Sequence, residues 1–513
     1  MLTNIKSTAN IGLTGIPVEV EVDVASRGFP AFNIVGLPSK AVEESKERLR
    51  TAITNSGFSF PQKRITINLA PADLPKEGSC FDLPMAIGIL ISSGQIEWKN
   101  LQTETSIFYG ELGLDGSVKH TRGVLLVGIR AKNDGIKNVF VPISSASEAA
   151  VVGDEINVYP VRSLQELREF FSGDEKKIKK LNNIDIPNLL ENVEAETNFS
   201  EILGQEQAKR ALEIAAAGGH NLIMTGPPGS GKTLLSRALA GILPPMSTGE
   251  CLEVTKIYSG SGLMKPGEAV IRRRPFRSPH HSISLAGLIG GGSKPNPGEI
   301  SLAHLGVLFL DELAEFPRSV MKSMRQPMED GIISVSRAAG RVDYPSSFML
   351  VAAVNPCPCG YLGHPRRECR CTERQISKYK KRISGPILDR IDLHINVPAV
   401  DVNKLQGEGI GIGETSSEIR RRVINARKIQ EKRFNNTSIY NNARMNNKLV
   451  RKHCLLDGEG EKLLRLAVEK YDLSARSYFR ILKVARTIAD LSGEPDILPQ
   501  FIAEALQYKI SDW

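Results

Sequence analysis

The stretch NLIMTGPPGSGKT, residues 221–233, constrains this chain more than any other: a short apolar run breaks into glycines and ends in Lys-Thr. Gly226, Gly229 and Gly231 let the backbone curl so that successive N–H groups face one anion, with Pro227, Pro228 and Ser230 between them. The following LLSRALAGIL is a helix whose positive N-terminal end adds to that field. Lys232 then reaches the outer phosphates of a nucleotide, and Thr233 holds Mg²⁺.

A chain of 513 residues has room for roughly three domains of about 150 residues each. Its net charge of +9 and pI near 9.1 suit a phosphate-bearing partner, and equally a solvated basic surface. No run approaches the ~18 apolar residues a bilayer span needs, and MLTNIKSTANIG lacks a basic start followed by an apolar core. A cytoplasmic protein without a membrane partner is expected. Seven cysteines, four of them within residues 357–371, argue for a metal clip in a reducing compartment rather than a disulfide framework.

Residues 1–172 alternate short strand-like runs with helical patterns, an α+β unit. VEVEVDVA (18–25) has strand periodicity, residues 39–57 have helical spacing, and residues 64–94 give a strand, a proline- and glycine-rich turn and an apolar helix. The phrases PKEGSCFD and GELGLDGSV resemble the proteolytic domain of the Lon family. That resemblance puts Cys80 at the serine position and Leu125 where the activating lysine stands, so the domain is expected to be catalytically inactive, with no peptidase activity. Residues 173–196 are charged, poor in large apolar residues and interrupted by proline, and read as a linker.

Residues 197–402 open with a helix leading to the phosphate loop. GVLFLDELAEF (306–316) follows as a buried strand ending in two carboxylates: Asp311 to bind Mg²⁺ through water, Glu312 to polarise the water that attacks the γ-phosphate. A third strand ends at Asn355, a γ-phosphate sensor or an ordinary turn former before proline. Arg390, ahead of a fourth apolar strand, is an arginine-finger candidate for a neighbouring subunit, or a salt-bridge partner of Asp389 or Asp392. IISVSRAAGRVDYP (332–345) reads as a hairpin on which Arg337 and Arg341 could track DNA phosphates, or which braces a subunit interface.

Cys357, Cys359, Cys369 and Cys371 form two Cys-x-Cys pairs able to close a tetrahedral structural Zn²⁺ site, with reduced free thiols as the alternative and His364 as a reserve ligand. Residues 363–382 carry eight Lys/Arg against two Glu, and residues 417–452 eleven against two. Each is a candidate DNA surface, the first otherwise a solvated face and the second otherwise a match for a neighbour's acidic surface. Residues 403–513 begin with a glycine-rich hinge and continue as amphipathic helices, a lid.

Taken together, GPPGSGKT, PFRSPHHSIS, GGGSKPNPGEISLAHLGVLFLDELAEF, RQPMEDG, NPCPCGYLG and SGPILDRIDLH resemble the YifB/ComM family of magnesium-chelatase-like AAA+ ATPases over nearly the whole chain. The resemblance implies a multidomain α/β protein: a Lon-protease-like (ribosomal S5 domain 2-like) N-domain, an AAA+ P-loop core and a C-terminal helical lid. It further implies a hexameric ring using ATP and Mg²⁺, a helicase that migrates branches during recombination of incoming single-stranded or branched DNA. It places Arg476 at the second sensor position, acting on its own subunit's ATP or its neighbour's. The alternative within the same resemblance is a chelatase-like ATPase that remodels a protein partner.

Overall fold

Period-two patterning in residues 18–25 sorts the side chains as expected: Val18, Val20, Val22 and Val24 are buried while the acidic residues between them reach solvent. The computed structural model describes residues 2–97, 103–174, 176–190, 197–292, 296–337, 340–383, 385–399, 413–435, 437 and 439–509. In the N-terminal part the strands are β1 (Leu2–Ile11), β2 (Thr14–Val24), β3 (Ala31–Val35), β4 (Arg64–Ala70), β5 (Ser106–Phe108), β6 (Glu111–Leu112), β7 (Val118–Lys119), β8 (Asn138–Pro142) and β9 (Asn157–Val161). Seven of them form one mixed sheet in the order β3-β4-β2-β1-β5-β8-β9, with β6 and β7 paired apart. The buried helix Asp82–Ser92 packs on β1 and β2, and the expected 39–57 helix is two, Lys40–Glu43 and Ser45–Asn55.

The second part adds β10 (Leu222–Thr225), β11 (Phe276–Arg277), β12 (Gly290–Gly291), β13 (Asn296–Pro297), β14 (Val307–Leu310), β15 (Ile332–Arg337), β16 (Gly340–Pro345), β17 (Met349–Val354) and β18 (Leu393–Asn396). Five of these make a parallel sheet in the order β11-β14-β17-β10-β18. Val307–Leu310 and Met349–Val354 are buried at every position, which is why they read as continuous apolar runs. Helices Ser416–Arg433, Asn447–His453, Gly458–Tyr471, Ala475–Ser492 and Pro499–Gln507 follow, and Val423, Ile481 and Ile488 share one apolar core with Leu212 of helix Glu206–Gly218 and Ile395 of β18. Of the expected hinge, residues 405–412 lie outside the described residues.

The segment expected to be a linker is packed. Ile178 joins the N-terminal core, and Ile186 and Leu190 join an apolar cluster with Leu125, Val151, Met246, Cys251, Val254 and Val270. Leu181, Ile184 and Leu189 pack partly buried beside them, and residues 175 and 191–196 lie outside the described residues. That cluster docks the N-terminal part onto helix Thr248–Ser261, and Leu125, at the position where a peptidase would need lysine, is one of its wholly buried members. Cys80 is buried in the N-terminal core and burial pushes its thiol up to about 12, away from nucleophilic behaviour.

Next to the cluster, the Ser259 hydroxyl donates to Glu148 Oε2 at 2.5 Å, and burial raises the Glu148 carboxyl from 4.5 to about 7 although this bond opposes it. A carboxyl raised in the folded state stabilises fully below its unfolded value, and that contribution is lost as pH rises through the folded one. The thermal midpoint is therefore expected to fall between about pH 4.5 and 7 by an amount equivalent to on the order of 3 kcal/mol for this group. Calorimetry of Glu148→Gln, which stays neutral throughout, should show that part of the slope removed.

Candidate nucleotide site and its outlying arginines

Three parallel strands bring their C-terminal ends to one edge of the sheet, where such sheets bind ligands. β10 runs into the phosphate loop, β14 into Asp311 and Glu312, and β17 into Asn355; Thr225 stands opposite Val354, and Leu310 opposite Ala352. The loop needs its glycines: a Cβ on Gly226 would lie 2.2 Å from the Val397 carbonyl oxygen, and Gly231 caps helix Lys232–Ile242 at φ 87°.

Lys232 is only 8% exposed. Its Nζ donates to the carbonyls of Gly226 at 2.8 Å and Pro227 at 2.9 Å, and lies 3.4 Å from Asn355 Oδ1. Burial lowers its pKa, with Asp311 and Glu312 pulling the other way. A buried ammonium held by neutral acceptors beside a helix N-terminus is a cradle suited to an anion, so the residues fit a nucleotide's phosphates. Thr233 Oγ1 donates to Asp311 Oδ2 at 3.1 Å, bringing together the hydroxyl and carboxylate expected to hold Mg²⁺. Asp311 Oδ1 accepts the Glu312 N–H at 2.9 Å, which leaves the Glu312 side chain half exposed at the same edge. His281 Nδ1 lies 3.5 Å from Glu312 Oε2, a neighbour that the motif PFRSPHHSIS contains but whose role no local pattern signals.

The two arginines also come together, elsewhere. Arg390 Nη2 and Arg476 Nη2 both donate to Glu329 Oε1, the latter at 3.0 Å, and Arg390 Nη1 donates to the Pro386 carbonyl at 2.5 Å. Glu329 lies in RQPMEDG, and its carboxylate, not that of Asp389 or Asp392, is the Arg390 partner. Asn221 Nδ2 donates to the Arg390 carbonyl at 3.0 Å while its Oδ1 accepts the Leu350 N–H at 2.8 Å. Asn221 precedes β10, so the arginine end and the phosphate-loop end are separated by the length of the strand, about 13 Å. Asp392 takes His220 Nδ1 at 3.0 Å and Arg480 Nε at 3.3 Å. Burial works against its ionisation, but these partners prevail and hold it at about 2.

The hairpin forms as expected, β15 on β16 from Ile332 opposite Pro345 to Arg337 opposite Gly340. The Arg337 side chain lies outside the described residues. Arg341 is 68% exposed, yet it donates to Ser334 Oγ at 3.0 Å and pairs with Asp343 at 3.3 Å. Val342 touches the N-terminal part, where a Cβ on Gly12 would come within 2.3 Å of it. Much of the basic 417–452 segment turns inward: Arg420 to the Gly241 carbonyl, Arg422 to Glu213 and Glu414, Arg427 to the Ala216 carbonyl and Arg433 to Asp490. Those four are committed to holding the lid rather than offered as an open charged face.

The four cysteines converge. Cys357 Sγ lies 3.4 Å from Cys359 Sγ and 3.6 Å from Cys369 Sγ, and all four sulfurs lie within 4.8 Å of one another. His364 is turned to its own loop, its Nδ1 accepting the N–H groups of Arg366 and Arg367.

Three family models match: "Subunit ChlI of Mg-chelatase" over residues 20–145, "Magnesium chelatase, subunit ChlI" over 198–405, and "Magnesium chelatase, subunit ChlI C-terminal" over 413–509. The chain is 43% identical to the competence protein ComM of Haemophilus influenzae over 520 residues, covering 99% of this chain and 97% of that one. It is 40% identical to YifB of Salmonella typhimurium and 41% identical to YifB of Escherichia coli, in each case over 515 residues, with 100% of this chain and 97% of the relative covered.

The geometry separates nucleotide binding from turnover. Glu312→Gln keeps the cradle and should leave fluorescent ATP-analogue binding within about twofold, while phosphate release falls at least about a hundredfold. Equal losses in both measurements would assign Glu312 to binding.

Proposed function

The chain belongs to the YifB/ComM family of magnesium-chelatase-like AAA+ proteins, and from that premise we propose that it is an ATP-hydrolysing ring motor acting on DNA. The observation that carries the ATPase reading is the convergence of Lys232, Thr233, Asp311, Glu312 and Asn355 at one sheet edge. In turnover, Gly226 to Thr233 supply the phosphate cradle, Lys232 exchanges loop carbonyls for phosphate oxygens, and Thr233 and Asp311 hold Mg²⁺. The metal, when bound, neutralises phosphate charge. Glu312 takes the hydrogen bond of the attacking water and Asn355 fixes the outermost phosphate relative to Lys232.

Arg390 and Arg476 act on the neighbouring subunit's nucleotide in this reading. Their support is positional: both meet at Glu329, near the sheet end opposite their own phosphate loop. A ring, by family a hexamer, follows as the assembly in which every site is completed by its neighbour. The domain reading keeps a catalytically inactive Lon-protease-like N-domain (1–172), the segment 173–196, an AAA+ core (197–402) and a helical lid (403–513). The motor is proposed to be cytoplasmic; among the described residues no helix is long and apolar enough to cross a membrane.

DNA as the substrate is supported by the 43% identity to a relative named for competence, by the net charge of +9 and by the hairpin with Arg337 and Arg341. Helicase action with branch migration of incoming single-stranded or branched DNA is the specific form proposed. The second reading, remodelling of a protein partner, draws on the bracing of the hairpin: Arg341 is paired with Asp343, and Val342 abuts Gly12. We also propose that Cys357, Cys359, Cys369 and Cys371 hold a structural Zn²⁺.

ATPase rates with and without single-stranded or forked DNA separate the two readings. Stimulation of several-fold, with binding that weakens steeply as salt rises, is expected for the motor on DNA. Arg337→Ala should lose most of the stimulation and keep the basal rate; absence of both stimulation and salt-sensitive binding would leave the protein-remodelling reading.

A further inference from the structure

The cysteine loop lies against the phosphate loop. Gly360, at φ 82°, follows Cys359, and its N–H donates to the Cys357 carbonyl at 2.9 Å, closing a tight turn around the first two thiols. A Cβ there would stand 2.6 Å from Pro228 Cδ and 3.9 Å from Asn355 Cγ, so this turn is in direct contact with the phosphate loop and with the residue that meets Lys232. The other end of the loop returns to the same place. Cys371 is followed by Thr372, which caps helix Glu373–Lys380 with a reciprocal Gln375 bond, and the buried Tyr379 of that helix hydrogen-bonds the backbone of Asn355.

Between these anchors, residues 357–371 contain no helix or strand. Fifteen residues without a ladder of backbone bonds lose conformational entropy at a cost of about 1–2 kcal/mol each, offset here by the Arg367–Tyr361 bond, the His364 bonds to Arg366 and Arg367, and the sulfur contacts. The sulfur cluster ties the two ends of the loop together, with Cys357 wholly buried. A tetrahedral four-thiolate zinc site with Zn–S of about 2.3 Å has sulfur–sulfur edges of about 3.8 Å. The separations among Cys357, Cys359 and Cys369, 3.4 to 3.6 Å, are near those edges and Cys371 Sγ lies within 4.8 Å of all three, so four thiolates gathered this way would repel one another unless a cation sat among them. Four sulfur ligands leave no open position, so the metal's role is mechanical.

We propose that a thiophilic divalent cation in this site clamps the phosphate loop, so that nucleotide affinity depends on metal occupancy through the contacts of Gly360 with Pro228 and of Asn355 with Lys232. The inference rests on the zinc reading above and adds to it a regulatory consequence: loss of the cation loosens the turn that Pro228 leans on, and frees the Asn355 side chain from the position it shares with Lys232. Binding of ATP is then limited by zinc supply.

The test uses the full-length protein and reads zinc and nucleotide separately. Zinc is measured by elemental analysis on protein purified without chelator, and the dissociation constant for a fluorescent ADP analogue is measured alongside. Stripping the folded protein with a thiol-competing zinc chelator should weaken nucleotide binding about tenfold, the lower end of effects seen when a supporting shell is removed, and one equivalent of Zn²⁺ should restore it. Cys371→Ser should lose the metal and show the same weakening. Gly360→Ala should keep its zinc and still bind nucleotide more weakly, because the added methyl meets Pro228. Zinc bound at one equivalent whose removal leaves nucleotide affinity unchanged would overturn the clamp while leaving the zinc site standing. Protein that neither contains nor takes up zinc would remove both.

Discussion

Parallel pairing of β10 with β18 is the constraint from which the rest of the site follows. Leu222 stands opposite Leu393 and Thr225 opposite Asn396, so both strands run the same way. Whatever follows β10 must lie at one end of the sheet and whatever precedes β18 at the other. The phosphate loop follows β10; Arg390 precedes β18. Antiparallel pairing would have put the arginine beside its own lysine. As it stands, one copy carries Lys232, Thr233 and Asp311 at one edge and a pair of guanidiniums gathered on Glu329 at the other. On the function proposed above these are the two halves of a phosphoryl-transfer site, pointed apart in one copy and brought together between neighbours in a ring.

The lid is fixed to this frame by buried polar contacts rather than by apolar packing alone. His220, at the end of helix Glu206–Gly218, bridges Asp392 and Thr487, and Asp490 gathers Arg433, Arg486 and Asn442. Every one of these groups is buried or nearly so, and a satisfied network of this kind tolerates little displacement because an orphaned member carries its full desolvation cost. Helix Ala475–Ser492 therefore cannot swing Arg476 toward its own phosphate loop without breaking the Arg480–Asp392 and Thr487–His220 contacts. The same logic holds the N-terminal part in place: Leu125, buried against Cys251 and Val254, makes a docking contact of the position where the peptidase resemblance calls for a charged base.

What the sequence carried legibly was local. A strand that runs into glycines and Lys-Thr, or ends in Asp-Glu, announces itself because strand, loop and side chain are consecutive, and Lys232, Thr233, Asp311, Glu312 and Asn355 meet as their spacing suggested. The hairpin and the cysteine cluster were legible for the same reason. Glu329 was not, because its value comes from two arginines 61 and 147 residues away in the chain. Asn221 and His281 likewise act through contacts that no periodicity encodes. Charge counting misled where it treated arginines as surface: Arg420 and Arg427 end on backbone carbonyls, and Arg422 and Arg433 on carboxylates. Within residues 173–190 the sparse apolar residues pack against the N-terminal core and the docking cluster, which composition alone did not signal.

The central claim is that one active site is built from two copies of the chain, and subunit complementation tests it most directly. Lys232→Ala disables a subunit's own cradle and Arg476→Ala disables what it lends to its neighbour, so each variant alone should be inactive. Mixed and reassembled, they should recover roughly a quarter of the wild-type ATPase, the statistical share of interfaces that pair an intact cradle with an intact arginine. Mixed rings that form yet remain inactive would mean that Arg476 serves the nucleotide of its own subunit, and would contradict the account.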